Sequence, residues 1–140
     1  MNYVDNLLLS RFYQIAKLSV LQLEVVMPKI KNKELQTIIS NQIANYDVLV
    51  KECQTIAKAH SIALPDHIFF KRCKQIIDEN FENITSVNIQ TLIVCTTLSS
   101  LNTLIEIYNV ESATSETISI GKHLQSMQEN NLQILKEIKL

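Results

Sequence analysis

The residues best equipped for chemistry are three histidines, three cysteines and a scatter of carboxylates, and their spacing decides what they can build. A two-metal centre inside a helical bundle takes one Glu from each of two helices and a Glu-x-x-His from each of two others. The three-residue step puts both side chains on one helix face. Here the residue three before His60 is Ala57, before His67 it is Leu64, and before His123 it is Ile120. No Glu-x-x-His exists. Carboxylates alone could hold a weaker site, and Glu24, Glu52, Glu106 and Glu129 offer one for each main helix. Their heights disagree. Glu24 and Glu52 lie on levels roughly 22 Å apart when counted from the turn between their helices, and Glu106 and Glu129 on levels roughly 16 Å apart. Carboxylates on different layers cannot share an ion.

Nucleophilic and phosphate chemistry find no better footing. There is no G-x-S-x-G, and the one glycine, Gly121, cannot build a phosphate-cradling loop. Cys53, Cys73 and Cys95 are far apart, odd in number and without a CxxC. They read as small buried hydrophobes, with a reactive thiol as the alternative. Reduced cysteines point to a cytosolic compartment. Lys71, Arg72 and Lys74 with His67 form the only basic cluster, and acidic Asp78, Glu79 and Glu82 follow at once. With a net charge of −1 no field attracts nucleic acid. Asn83-Ile84-Thr85 matches a glycosylation sequon but stands without a secretory leader, since the opening Met-Asn-Tyr-Val-Asp lacks a basic region. The sequence thus nominates no catalytic, cofactor-binding or metal-ligating residue, and predicts no cofactor and no enzymatic activity.

The elements that would position such residues are easier to read. One glycine and two prolines in 140 residues leave little to break a helix, and the length suits a single domain over residues 1–140. The first helix is expected from Tyr3 to Met27, with Leu8, Phe12, Ile15, Leu18, Leu21 and Val25 on one face, ended by Pro28. Lys29 to Asn32 is a short polar link, which forces the second helix, Lys33 to His60, to return antiparallel. Its seam of Leu35, Ile39, Ile43, Tyr46, Leu49 or Val50, Cys53, and Ile56 or Ala57 is close to heptad spacing. Asp66 caps a third, shorter helix over His67 to Phe81 that buries Phe70, Cys73, Ile77 and Phe81. Ser86 caps a fourth over Val87 to Tyr108, and the last starts near Ser112 or Thr114 and runs to Ile138. That last helix faces inward with Ile120, Leu124, Met127, Leu135 and Ile138. Between Val87 and Asn109 the only charge is Glu106, but threonines and serines interrupt the run. A central bundle helix fits this segment better than a membrane span. Gly121 inside a helical pattern marks either a close helix contact or a kink.

The predicted architecture is all-α: an antiparallel up-down four-helix bundle with an additional short helix. The helix order, with Met27-Pro28-Lys29, Leu35, Gln42, Tyr46, Ala57 and Leu64-Pro65, is similar to small bacterial proteins of ferritin-like type. The closing Met127-Gln128-Glu129-Asn130-Asn131-Leu132 with Leu135-Lys136 resembles their final helix. The likeness covers nearly the whole length. It implies a ferritin-like fold in a cytoplasmic bacterial protein with no assigned activity. Where metal-binding relatives carry Glu-x-x-His, this chain has other residues, so metal chemistry does not carry over.

A complete core pattern without a recognisable site predicts a non-catalytic bundle that works by protein–protein contact. Leu7, Leu9, Val20, Leu23 and Val26 lie off the main stripe of the first helix. They would serve a homodimer seam, or equally a fully buried helix. Tyr3 and Tyr13 could mark an interface. The alternatives are a metal or redox protein whose irregular site uses His60, His123 or the carboxylates, and a binder of a small apolar ligand between helices.

Overall fold

The computed structural model describes residues 1–81, 93, 97 and 113–138, without the side chains of residues 80 and 81. Four helices are present among the described residues, and no strand: α1 (Tyr3–Val26), α2 (Lys33–Ala59), α3 (His67–Phe81) and α4 (Ser115–Glu137). Of the helix predicted over 87–108, Ile93 and Thr97 are helical and buried. Its remaining residues lie outside the described ones, with Cys95, Glu106 and the Asn83 sequon. No helix among the described residues is long and apolar enough to cross a membrane.

Each helix end has a local cause. At α1, Asn2 Oδ1 accepts the Asp5 N–H at 2.9 Å while the Asn2 N–H donates to Asp5 Oδ2 at 3.0 Å, a reciprocal capping box. Pro28 ends α1 in a 3₁₀ turn over Met27–Lys29. The link that follows is not wholly polar. Ile30 is buried, and its carbonyl accepts from Gln36 Nε2 at 2.6 Å. Asn32 then caps α2 through the Leu35 N–H at 2.9 Å. At the far end of α2, Ser61 takes a positive φ of 54°. This lets the Ile62 N–H reach the Ala57 carbonyl at 2.8 Å and the Ser61 N–H reach Lys58 at 3.4 Å. That pair of bonds is a Schellman closure, made with serine where glycine is usual. Asp66 caps α3 through the Phe69 N–H at 3.0 Å.

The packing departs from the expected stripe on α1. Leu8 and Phe12 are buried as predicted, but Ile15, Leu18, Leu21 and Val25 are only partly buried. Of the residues off that stripe, Leu9, Val20, Leu23 and Val26 are in the core and Leu7 is exposed. The reason is that α1 packs against α2, α3 and α4 together, so one stripe cannot hold its buried surface. Among the described helices α1 takes the central place; the segment 87–108, also expected to be central, lies outside the described residues apart from buried Ile93 and Thr97. Tyr13, a candidate surface residue, is buried. On α2 the seam runs Leu35, Ile39, Gln42, Tyr46, Leu49, Cys53 and Ile56, with Gln42 where Ile43 was expected. On α4, Ile120, Leu124, Leu135 and Ile138 are buried, whereas Met127 is only partly so. Gly121 is buried in an unbroken α4, as a close packing contact requires and a kink does not.

Helix directions follow from cross-contacts. Tyr13 meets Gln54 across α1 and α2, which are antiparallel as the short link demands. Gln42 meets Asn131 and His60 meets Glu116, so α2 and α4 are also antiparallel. Asp5 meets Thr114, and therefore α4 runs parallel to α1. Strict alternation of the first, second, fourth and fifth predicted helices would have set the last against the first. The chain between His60 and Glu116 leaves and rejoins the same end of the bundle.

The contact that joins the starts of α1 and α4 is the Asp5 carboxylate, which has no exposed surface. Its Oδ1 accepts from the Thr114 N–H at 2.7 Å and the Thr114 hydroxyl at 3.0 Å, and its Oδ2 from the Asn2 N–H. Burial pushes its pKa up, but the bonds from Thr114, Asn2 and Thr117 together outweigh this and hold it below the ordinary value. A depressed folded pKa means the ionised group stabilises the fold above the ordinary carboxyl range and loses this as pH falls through the folded value. Asp5→Asn sets an amide donor against N–H donors in place of one acceptor oxygen and is expected to cost about 2 kcal/mol at neutral pH. In chemical denaturation at pH 7 and again below pH 3, the gap between wild type and variant should shrink at acid pH. An equal gap at both would show that Asp5 is not ionised in the fold.

Candidate functional site

Two features of the described surface combine reactive or adhesive side chains with a defined position. The first is α3. Its inner side carries Phe70 and Ile77, both buried. Phe70 stacks edge-on against Tyr13 of α1, ring centres 5.6 Å apart, and Phe69 stacks edge-on against Phe70 at 5.1 Å. Lys17 of α1 covers the seam, with Nζ 5.0 Å from the Phe70 ring centre and donating to the Tyr13 hydroxyl at 3.3 Å. Gln54 Nε2 reaches the same hydroxyl at 3.5 Å. An aromatic chain thus runs from the core to the surface and ends on Phe69.

At 100° per residue, Ile68 falls opposite Phe70 and Ile77, and Phe69 and Ile76 fall on the adjoining flank, roughly 100° from them. Ile68 and Ile76 are 59% and 57% exposed and Phe69 38%, which makes α3 the most apolar exposed helix face among the described residues. Arg72 and Glu79 share that side by the same angular count. The basic cluster is where the sequence placed it, on exposed Lys71, Arg72, Lys74 and His67, and it borders the apolar residues.

The second feature lies between α2 and α4. His60 Nε2 is 3.5 Å from Glu116 Oε2, and His123 Nδ1 is 3.6 Å from Glu52 Oε2. A surface groove of about 360 Å³ between the helices is lined by Glu52, Thr55, Ile56, Glu116, Ser119 and Ile120. A second groove, about 450 Å³, carries His123, Asn45, Val48 and Met127. Neither is an enclosed apolar chamber of the kind a small apolar ligand requires. The layer argument set Glu24 apart from Glu52 and Glu106 apart from Glu129; Glu106 lies outside the described residues, and Glu52 shares its groove with Glu116. Among the described residues no three His, Cys, Asp or Glu side chains converge on one metal position. The His–Glu pairs escaped the sequence reading because each joins residues more than fifty positions apart, and helix periodicity carries no signal at that range.

Two described interior groups are held in their neutral forms. Tyr46 sits among Ser19, Gln128 and Asn131, and burial raises its pKa against the opposing bonds from those side chains. Cys53 is fully buried, and burial with the neighbouring Glu52 charge pushes its thiol up to about 12. A thiol so raised is not a nucleophile at neutral pH.

Compared with known proteins, the chain matches no family model, no curated protein and no solved structure. The functional reading therefore rests on the two surfaces.

Native protein treated with iodoacetamide at pH 7.5 and mapped by peptide mass should carry label on Cys73, which is half-buried on α3, and none on Cys53. Label on Cys53 at a rate comparable to the unfolded chain would mean that the α2 core opens readily.

Proposed function

We propose that this protein is a non-catalytic helical bundle of ferritin-like type, without the two-metal ligands, that works by contact, and that the contact is made by α3 with a second copy of the chain. The observation that supports this is the charge order along the exposed apolar side of α3. Arg72 precedes Ile76 and Glu79 follows it on the same side. Two α3 helices meeting antiparallel about a two-fold axis near Ile76 set each Arg72 against the other's Glu79. Isologous contacts need this kind of self-complementarity. Ile76, Ile68 and Phe69 supply the apolar surface, and each such isoleucine contributes about 1–2 kcal/mol when covered. The patch is short of the roughly 800 Å² per partner of a stable dimer, so the association is a weak and concentration-dependent one.

Sedimentation velocity over a concentration series should show a monomer–dimer equilibrium. Ile76→Asp is expected to abolish the dimer. Arg72→Glu should weaken it about tenfold, through two like-charge contacts of up to 1 kcal/mol each, and the double swap R72E/E79R should restore it. A chain that stays monomeric to millimolar concentration, or a double swap no better than the single, defeats the proposal.

A further inference from the structure

The two His–Glu pairs between α2 and α4 are spaced as ordinary ion pairs, and the same spacing fits a shared cation. In each pair one imidazole nitrogen faces one carboxylate oxygen, at 3.5 Å in His60–Glu116 and 3.6 Å in Glu52–His123. A tetrahedral zinc ion takes imidazole nitrogen at about 2.0–2.1 Å and carboxylate oxygen at about 2.0–2.2 Å, which sets two such donors about 3.3 Å apart. Both pairs are within a few tenths of an ångström of that edge. Glu52 and His123 stand within the bodies of long helices, while His60 is the C-cap of α2 and Glu116 lies in the first turn of α4. Their side chains are 37% to 51% exposed, so an ion and its waters can reach them.

The pairs are also related to each other. Glu52 and His60 lie eight residues apart on α2, and Glu116 and His123 seven apart on α4. Because the helices are antiparallel, each histidine meets the other helix's glutamate. The result is two equivalent seats about 11 Å apart along the helices. Glu52 and Glu116 line the groove between them, with the Thr55 and Ser119 hydroxyls as further oxygens.

We infer that the outer α2–α4 face binds divalent transition-metal ions in two two-donor seats, His60–Glu116 and Glu52–His123, with water completing each coordination sphere. Imidazole with carboxylate suits zinc, copper or nickel and does not suit magnesium, which prefers oxygen and dehydrates reluctantly. Two protein donors leave half of a tetrahedral shell to solvent, so the seats exchange their ion readily, unlike a closed structural site. This face is separate from the α3 contact, and neither proposal depends on the other.

The test is calorimetric titration of the full chain with zinc chloride, with magnesium chloride as the control. The expected result is two zinc equivalents per chain and none of magnesium. His60→Ala should remove one equivalent, His123→Ala the other, and the double variant both. Glu116→Gln and Glu52→Gln should each weaken one seat at least fivefold. The four side chains are half-exposed, so each variant should keep the wild-type circular dichroism and melting temperature. No zinc uptake by wild type, or equivalents that persist in the double histidine variant, overturns the inference. Zinc lost only together with the folded signal overturns it as well.

Discussion

The bundle depends on a buried charge. Asp5 stands between the first turns of α1 and α4 and bonds Thr114, 109 residues further along the chain. Both turns present unpaired N–H groups and the positive ends of their dipoles, the setting in which a buried carboxylate is stable. Without those donors the same carboxylate would be costly to cover. The arrangement holds α1 and α4 side by side and parallel, which a direct connection between antiparallel neighbours could not do. It also places the α2–α4 pairs, because α4 enters the bundle at the level where α2 leaves it.

A second constraint lies midway along the helices. Gln42 Nε2 approaches the Asn131 carbonyl at 3.5 Å, Ser19 Oγ bonds back to the Ile15 carbonyl at 2.7 Å, and Tyr46 rests against Ser19, Gln128 and Asn131. Polar groups from α1, α2 and α4 thus meet in a core whose other layers are Leu, Ile, Phe and Val. A polar layer can be satisfied in one register only, since a slip of one turn would leave its atoms facing hydrocarbon. Apolar layers tolerate such slips far better. The heptad seam on α2 supplies the drive for burial, while Gln42 and Tyr46 within it select the alignment.

The outside of the molecule divides by the same logic. α1 is covered on so many sides that few of its apolar residues remain free, Tyr3 and Leu7 at its start being exposed. α3 is short, docks through one aromatic seam, and keeps a second apolar side exposed beside alternating charges. α2 and α4 carry two His–Glu pairs across their groove. The proposed contact and the proposed ion seats thereby lie on different helices, while the thiol and phenol are sealed in the core.

Much of the scaffold could be read from the residues alone. The sparsity of glycine and proline, the 3–4 spacing on α2, Pro28 after α1 and the Asp66 cap located four helices to within a residue or two. These signals are local, arising from backbone sterics and from neighbours one turn away, and so survive without knowledge of the fold. The burial of Leu9, Val20, Leu23 and Val26 was not legible, because a helix with three neighbours has no single inner face. Asp5 read only as an early negative charge, since its donors come from Thr114 and Thr117 across the bundle. The His60–Glu116 and Glu52–His123 pairs were equally silent, because which residues face each other across two helices depends on register and direction. Those are set by the Asp5 contact and the polar layer. The amino-acid order by itself determined helices and their ends. Only tertiary structure decided which helix is central, that α4 runs parallel to α1, and which charges meet, because each of these is a relation between segments far apart in the chain.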